Sequence, residues 1–174
     1  GKYGRQMPRN ASLSFTLQNA KSITTCEYLV LDEKQENIQL AFSFEGKENG
    51  AFANKISKFF LSIEDIFPWI RQIKFNISSD NTFPHSTGIA SSASAMSALS
   101  LCLCTIHEKV AGKLDNYLQH ASMVSRLGSG SASRSVYPHL AQWGEHPNIS
   151  NSSNEFAIPF GDEVDKIFKG FHDD

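Results

Sequence analysis

The chain has 174 residues, 16 Lys plus Arg against 18 Asp plus Glu, and a formal net charge of −2. A hydrophobic fraction of 40 % with 13 Phe excludes a disordered chain and fits one ordinary globular domain. The near-neutral balance argues against a protein that grips nucleic acid by bulk electrostatics, and no apolar run reaches the ~20 residues of a membrane-spanning helix.

Residues 1–10 are polar, contain Gly4 and Pro8, and read as a loop. Ala11 to Leu17 alternates small or polar with apolar residues, the period of a half-buried strand. Ser22 to Leu31 is a second β-rich run, and Asp32 to Asn37 is a polar turn. Ile38 to Phe44 alternates again, with Ile38, Leu40, Phe42 and Phe44 on one face. The short connections predict three sequential antiparallel strands. Gly46 to Gly50 is a turn, and Ala51 to Phe60 is an amphipathic helix carrying Phe52, Ile56, Phe59 and Phe60. Ser62 to Ile70 continues or restarts that helix, with Pro68 as a break, and Ile73 to Ser79 is a further strand.

Phe83 to Ala95 (FPHSTGIASSASA) is a loop of small residues feeding the first turn of a helix that runs from about Ser92 to Val110. The first N–H groups of such a helix lack intrahelical partners and carry partial positive charge. Gly88 and Ala90 permit close backbone approach, and Ser91 and Ser92 add hydroxyls, so the stretch suits a phosphate. Tight packing of small residues explains it equally well, and the residues alone leave both readings open. The helix is apolar on most sides, which predicts burial between layers. His85, beside the loop, is a surface or packing residue.

Leu114 to Arg126 offers another amphipathic helix. It leads into Gly128-Ser129-Gly130-Ser131-Ala132-Ser133-Arg134. Successive N–H groups in such a turn form an anion-binding concavity, and the Arg134 fork can hold a carboxylate or phosphate with two hydrogen bonds. A flexible Gly/Ser linker is the competing reading, and the arginine tilts the balance towards an anion site. Val136 to Trp143 is strand-like but interrupted by Pro138. Glu145 to Asn154 is a polar loop, and Phe156 to Phe160 and Lys166 to Phe171 are short strand candidates. Two phosphate-friendly loops suggest a nucleotide together with a phosphorylated or carboxylated substrate.

Cys26, Cys102 and Cys104 are odd in number and apolar in surroundings, so they read as reduced core thiols. His107, His120, His139 and His146 show no metal-ligand spacing. The sequons at Asn10, Asn76, Asn148 and Asn151 matter only in a secreted chain, and no signal peptide precedes them, which points to the cytoplasm. Without an initiator Met, the chain reads as a piece of a longer protein.

Three stretches together resemble the GHMP kinase superfamily and, within it, the diphosphomevalonate decarboxylases. The Pro84-x-x-x-Gly88-Ile89-Ala90-Ser91-Ser92-Ala93 run is similar to the superfamily's phosphate loop in its decarboxylase form. The Gly128-to-Ser135 run resembles the decarboxylase substrate loop. Gly1-Lys2, followed by Pro8-x-Asn10-x-Ser12-Leu13-Ser14-x-Thr16-Leu17, looks like the family's first conserved block.

The resemblance implies an α+β fold like the second domain of ribosomal protein S5, with an antiparallel or mixed sheet packed with helices. It implies that residues 1–174 are a partial N-terminal GHMP domain without its C-terminal partner. It implies ATP-dependent decarboxylation of mevalonate 5-diphosphate to isopentenyl diphosphate in isoprenoid biosynthesis. Gly88, Ala90, Ser91 and Ser92 would then cradle the phosphates of ATP, with Ser92 at its Mg2+. Lys2, Ser129, Gly130 and Ser131 would hold the substrate diphosphate, and Arg134 the carboxylate. A lone terminal lysine such as Lys2 would otherwise read as solvated. The family also implies a homodimer at full length, with neither nucleic acid nor membrane as a partner.

Some residues depart from the family pattern. Ser133 stands where a cysteine is common, Tyr137-Pro138 where a glycine pair is usual, and Gln6 where an asparagine is frequent. The catalytic aspartate has no counterpart, which implies that this chain alone is inactive. A GHMP small-molecule kinase, or a non-catalytic S5-like module that binds RNA, are the competing functions. Arg134 in its GSGSASR setting disfavours the first, and the net charge disfavours the second.

Overall fold

The computed structural model describes residue 4 and residues 6–17, 19–83 and 91–161. Strands β2 (Ser22–Val30) and β5 (Ile73–Asn81) pair antiparallel along their whole length, Ser22 opposite Asn81 and Val30 opposite Ile73. Strict alternation fixes this register. β5 buries Ile73, Phe75, Ile77 and Ser79 and exposes Lys74, Asn76, Ser78 and Asp80, so a slip of one residue would invert both faces. On the far side of β5 lies β3 (Gln39–Phe44), parallel to it. A hairpin through Glu45-Gly46 then adds β4 (Lys47–Glu48), giving the order β2-β5-β3-β4. Glu45 and Gly46 have φ of 49° and 73°, the left-handed pair of a tight two-residue turn.

This arrangement corrects the expectation of three sequential antiparallel strands. β2 and β3 do run in opposite directions, but β5 lies between them. The segment joining β3 to β5 contains α1 (Gly50–Ser62), a connection long enough for a parallel pair. The first strand, β1 (Ser12–Phe15), belongs to a second sheet with β6 (Leu140–Trp143) and β7 (Ala157–Pro159), in the order β1-β6-β7. The fold is α+β with one mixed and one antiparallel sheet.

Asn49 caps α1, its Oδ1 accepting from the Phe52 N–H at 3.0 Å. The helix buries Ile56, Phe59 and Phe60, and the Phe60 ring meets Phe75 edge-on with centroids 5.0 Å apart. Each such fully buried side chain contributes about 1.5–3 kcal/mol of transfer free energy. No second helix follows. The chain turns through Ile63 to Phe67, passes Pro68, and enters β5 from a 3₁₀ turn at Ile70–Gln72.

Helix α2 (Ser91–Val110) buries Ala93, Ser97, Leu99, Ser100, Leu103, Cys104 and Ile106, and it lies between β2 and α3 (Tyr117–Gly128) as its all-round apolarity predicts. The expected start of α3 at Leu114 moves to Tyr117 because Asn116 caps it, accepting from the Gln119 N–H at 3.1 Å. Cys104 is fully buried, and burial pushes both its thiol and that of half-buried Cys26 up to about 12. Both therefore behave as neutral packing groups. Beside α2, Trp69 Nε1 donates to His107 Nδ1 at 3.1 Å, and the Phe67 ring lies 5.5 Å from His107 and 6.3 Å from His120. Burial, then His107, holds the His120 imidazole below its ordinary pKa.

The β1-β6-β7 sheet turns one face outward and leaves Leu13 and Phe15 exposed. Gly144, at φ 103°, ends β6 where a Cβ would stand 2.8 Å from the Ala11 Cα, so no other residue fits there. The expected strand Val136–Trp143 shortens to β6. Pro138 supplies no N–H, His139 takes φ 62°, and the Tyr137 N–H bonds back to the Arg134 carbonyl at 3.2 Å. The strand expected at Lys166–Phe171 lies outside the described residues. Among the described residues no helix is long and apolar enough to cross a membrane.

Candidate functional site

The helix expected after the first small-residue loop begins at Ser91. Gly88, Ala90, His85 and Lys2 lie outside the described residues, as does the side chain of Ser91. Ser92 is exposed on the first turn of α2 and borders a cavity of about 220 Å³. The walls of that cavity are Phe42 and Phe44 of β3, Phe52 and Ile56 of α1, Ile77 of β5, and Met96 and Leu99 of α2, while Asn49 and Asn81 add amides. The space is mainly apolar with a few polar groups, the make-up of a small-molecule seat. The periodicity of these residues marked them as core, and nothing in it signalled that they leave a space.

The second small-residue stretch differs from the open concavity that the glycines suggest. Helix α3 runs on to Gly128, and Gly130–Arg134 forms a 3₁₀ turn. The cause is a set of buried serine contacts. Ser122 Oγ donates to the Ser133 carbonyl at 2.8 Å and accepts from the Ala157 N–H at 2.8 Å, fastening the turn to α3 and β7. Ser133 Oγ donates to the Gly130 carbonyl at 3.0 Å. Ser133, buried, thus closes the turn on itself. Ser129 and Ser131 are half-buried, and their hydroxyls find no hydrogen-bond partner among the described residues.

Two glycines let this turn approach its neighbours. At Gly128 a Cβ would stand 2.4 Å from Met96 Sδ, and Met96 is one helical turn beyond Ser92 on the same face. The two small-residue stretches, distant in sequence, therefore meet through Met96. At Gly130 a Cβ would stand 3.2 Å from the Trp143 ring and 3.3 Å from Gln6 Oε1. Gln6 itself sits at φ 60°, a left-handed conformation in which asparagine is more at ease.

Arg134 ends the turn, half-buried. Its Nη1 donates to Ser12 Oγ of β1 at 2.5 Å, and its Cζ lies over the Trp143 ring, 5.5 Å from the centroid. Ser12 Oγ in turn is 3.4 Å from the Trp143 carbonyl, and Trp143 Nε1 donates to the Asn154 carbonyl at 3.0 Å. Burial pulls the Arg134 guanidinium below its ordinary value, though it stays a cation at any physiological pH. Among the described residues no carboxylate pairs with it; Glu64, far along the chain, pairs with Lys34 and Arg71. A desolvated cation with a neutral partner is a ready seat for an anion. Ser12 and Trp143 were not marked as site residues by the sequence. They lie on strands that pair Ser12 with Trp143, a contact that no local pattern announces.

Residues 2–154 match the model of the family described as "Diphosphomevalonate decarboxylase-like N-terminal domain". A curated diphosphomevalonate decarboxylase from Debaryomyces hansenii is 30% identical over 162 residues, which are 88% of this chain and 40% of that protein. The crystal structure of mevalonate diphosphate decarboxylase from Staphylococcus aureus superposes with a TM-score of 0.66 at 30% identity, covering 88% of this chain and 42% of that one. A structure of the Enterococcus faecalis mevalonate diphosphate decarboxylase, which addresses mevalonate diphosphate-mediated ATP binding, gives 0.64 at 28% identity, covering 88% and 44%. The chain thus spans less than half the length of the proteins it matches.

Proposed function

Because the chain belongs to the diphosphomevalonate decarboxylase-like N-terminal domain family, we propose that it forms the ATP- and substrate-loop portion of a diphosphomevalonate decarboxylase, a partial N-terminal GHMP domain. The reaction is the ATP-dependent conversion of mevalonate 5-diphosphate to isopentenyl diphosphate. The observation that carries this reading is Arg134, a half-buried guanidinium without a carboxylate partner among the described residues, which ends the same 3₁₀ turn that carries Ser131.

The apolar cavity would seat the base of ATP, with Asn49 and Asn81 as the amides of its lining. Ser91 and Ser92 at the start of α2, with Gly88 and Ala90, would hold its phosphates. The hydroxyl donor at Ser92 fits Mg2+, a hard cation that takes oxygen ligands, and the ion supplies neutralisation of phosphate charge. Ser129, Gly130 and Ser131, with Lys2, hold the substrate diphosphate. Arg134 holds the carboxylate. The chemistry left to this half is placement and charge compensation. Once the tertiary hydroxyl carries phosphate, departure of that phosphate with the C–O pair lets the C–C pair to the carboxylate become the new double bond, releasing CO2. Arg134 first orients the carboxylate and then releases it as its charge is lost. The aspartate that removes the hydroxyl proton in this family lies outside the chain.

The test uses the complete reading frame that encodes this sequence, supplied with ATP, magnesium and mevalonate diphosphate, and follows CO2 and phosphate together. Equal release of both is expected, with Arg134→Ala reducing kcat by about 10²–10³. ADP formation without CO2 would instead make the protein a kinase, and silence on both would leave a binding role.

A further inference from the structure

We propose that Ser12 and Trp143 are positioning residues that hold the Arg134 guanidinium ready for the substrate carboxylate, an inference that rests on the reading of Arg134 given above. Three observations carry it. First, the Ser12 hydroxyl lies between two groups that demand opposite roles. The Trp143 carbonyl, 3.4 Å away, can only accept, and Arg134 Nη1, at 2.5 Å, can only donate. The hydroxyl hydrogen is thereby turned to the carbonyl and a lone pair to the guanidinium.

Second, the Trp143 ring lies under the guanidinium, and its own tilt is fixed by the bond from Nε1 to the Asn154 carbonyl at 3.0 Å. Stacking on an indole favours a planar, weakly hydrated cation and restrains its rotation without consuming its N–H groups. Third, the clamp is neutral. Arginine has five N–H donors, and among the described residues only Nη1 is engaged. A carboxylate in the place of Ser12 would cancel the charge. A hydroxyl and a ring fix the position and leave the charge and the remaining edge for an incoming anion. β1 supplies Ser12 and β6 supplies Trp143 as a directly opposed pair, so the clamp is part of a sheet rather than of a loop.

The test is a double-mutant cycle in the complete reading frame, with Ser12→Ala, Arg134→Ala and the pair. Ser12→Ala is expected to raise KM for mevalonate diphosphate about tenfold, the usual scale for a hydrogen bond to a charged group, while KM for ATP stays within about twofold. In the Arg134→Ala background the same change is expected to have less than about a twofold effect, because the side chain it positions is gone. Ser12→Thr should restore most of the loss, and Trp143→Phe, which keeps a ring, should be milder than Trp143→Leu. Multiplying effects in the double variant, or a silent Ser12→Ala, overturn the clamp while Arg134 keeps its role. An Arg134→Ala variant with wild-type turnover overturns both readings.

Discussion

Around Ser92 the wall is made of rings and branched side chains that also serve the core, whereas around Arg134 it is made of glycine, serine, one guanidinium and the Trp143 indole beneath it. The first region is an apolar space with few polar groups. The second is a polar turn of hydroxyls and charge laid on a single ring. They touch where Gly128 lies against Met96. The contrast teaches that one domain can build two unlike surfaces from different materials and still set them against each other through packed side chains.

The strongest test of this division fills one region and empties the other. Ala95 lines the cavity, so Ala95→Phe should raise KM for ATP by about tenfold or more and leave KM for mevalonate diphosphate nearly unchanged. Ser131→Ala should do the reverse, by a similar factor. Steady-state kinetics with each substrate varied in turn would show it, and parallel losses in both constants would dissolve the distinction.

The contact between the regions gives a smaller, more particular effect. A Cβ at Gly128 cannot coexist with Met96 where it stands, and because Met96 also lines the cavity, the shift it must make alters the cavity wall. Gly128→Ala should therefore weaken nucleotide binding several-fold without touching the nucleotide. The double variant Gly128→Ala/Met96→Ala should recover it, as read by calorimetric titration.

The smallest effect lies away from both regions and serves as their control. His120 is held below its ordinary value by burial and by His107, so the unfolded chain binds its proton more readily than the folded one. Stability on this account is full above the ordinary histidine pKa and declines as pH falls below it. Melting temperature should drop by a few degrees between about pH 7 and pH 5, and His120→Gln should flatten that slope without altering either substrate's KM.

Much of the fold was legible because its signals are local. Alternation in β2, β3 and β5, the apolar stripe of α1 and the all-round apolarity of α2 follow from burial of successive side chains and were read where they stand. Strand order was not, since nothing in residues 22–44 tells that β5 will come between β2 and β3. The same division applies to the site. Ser92, Ser129, Ser131 and Arg134 could be named from small-residue stretches and family resemblance. The 3₁₀ form of Gly130–Arg134 depended on Ser122, a buried hydroxyl that looks like any other helical serine. The cavity depended on how well core residues from four elements fail to fill the space between them.

The pairing of Ser12 with Trp143 joins residues 131 positions apart. Closing a loop of that length costs about 4 kcal/mol of chain entropy, so the contact exists only when the intervening structure has already brought its ends together. The cavity near Ser92 draws its walls from Thr24 to Leu99, a shorter closure that the logarithmic law makes only slightly cheaper. The two spaces therefore differ little in closure cost, and the Arg134 seat reports a separate event, the meeting of β1 with β6.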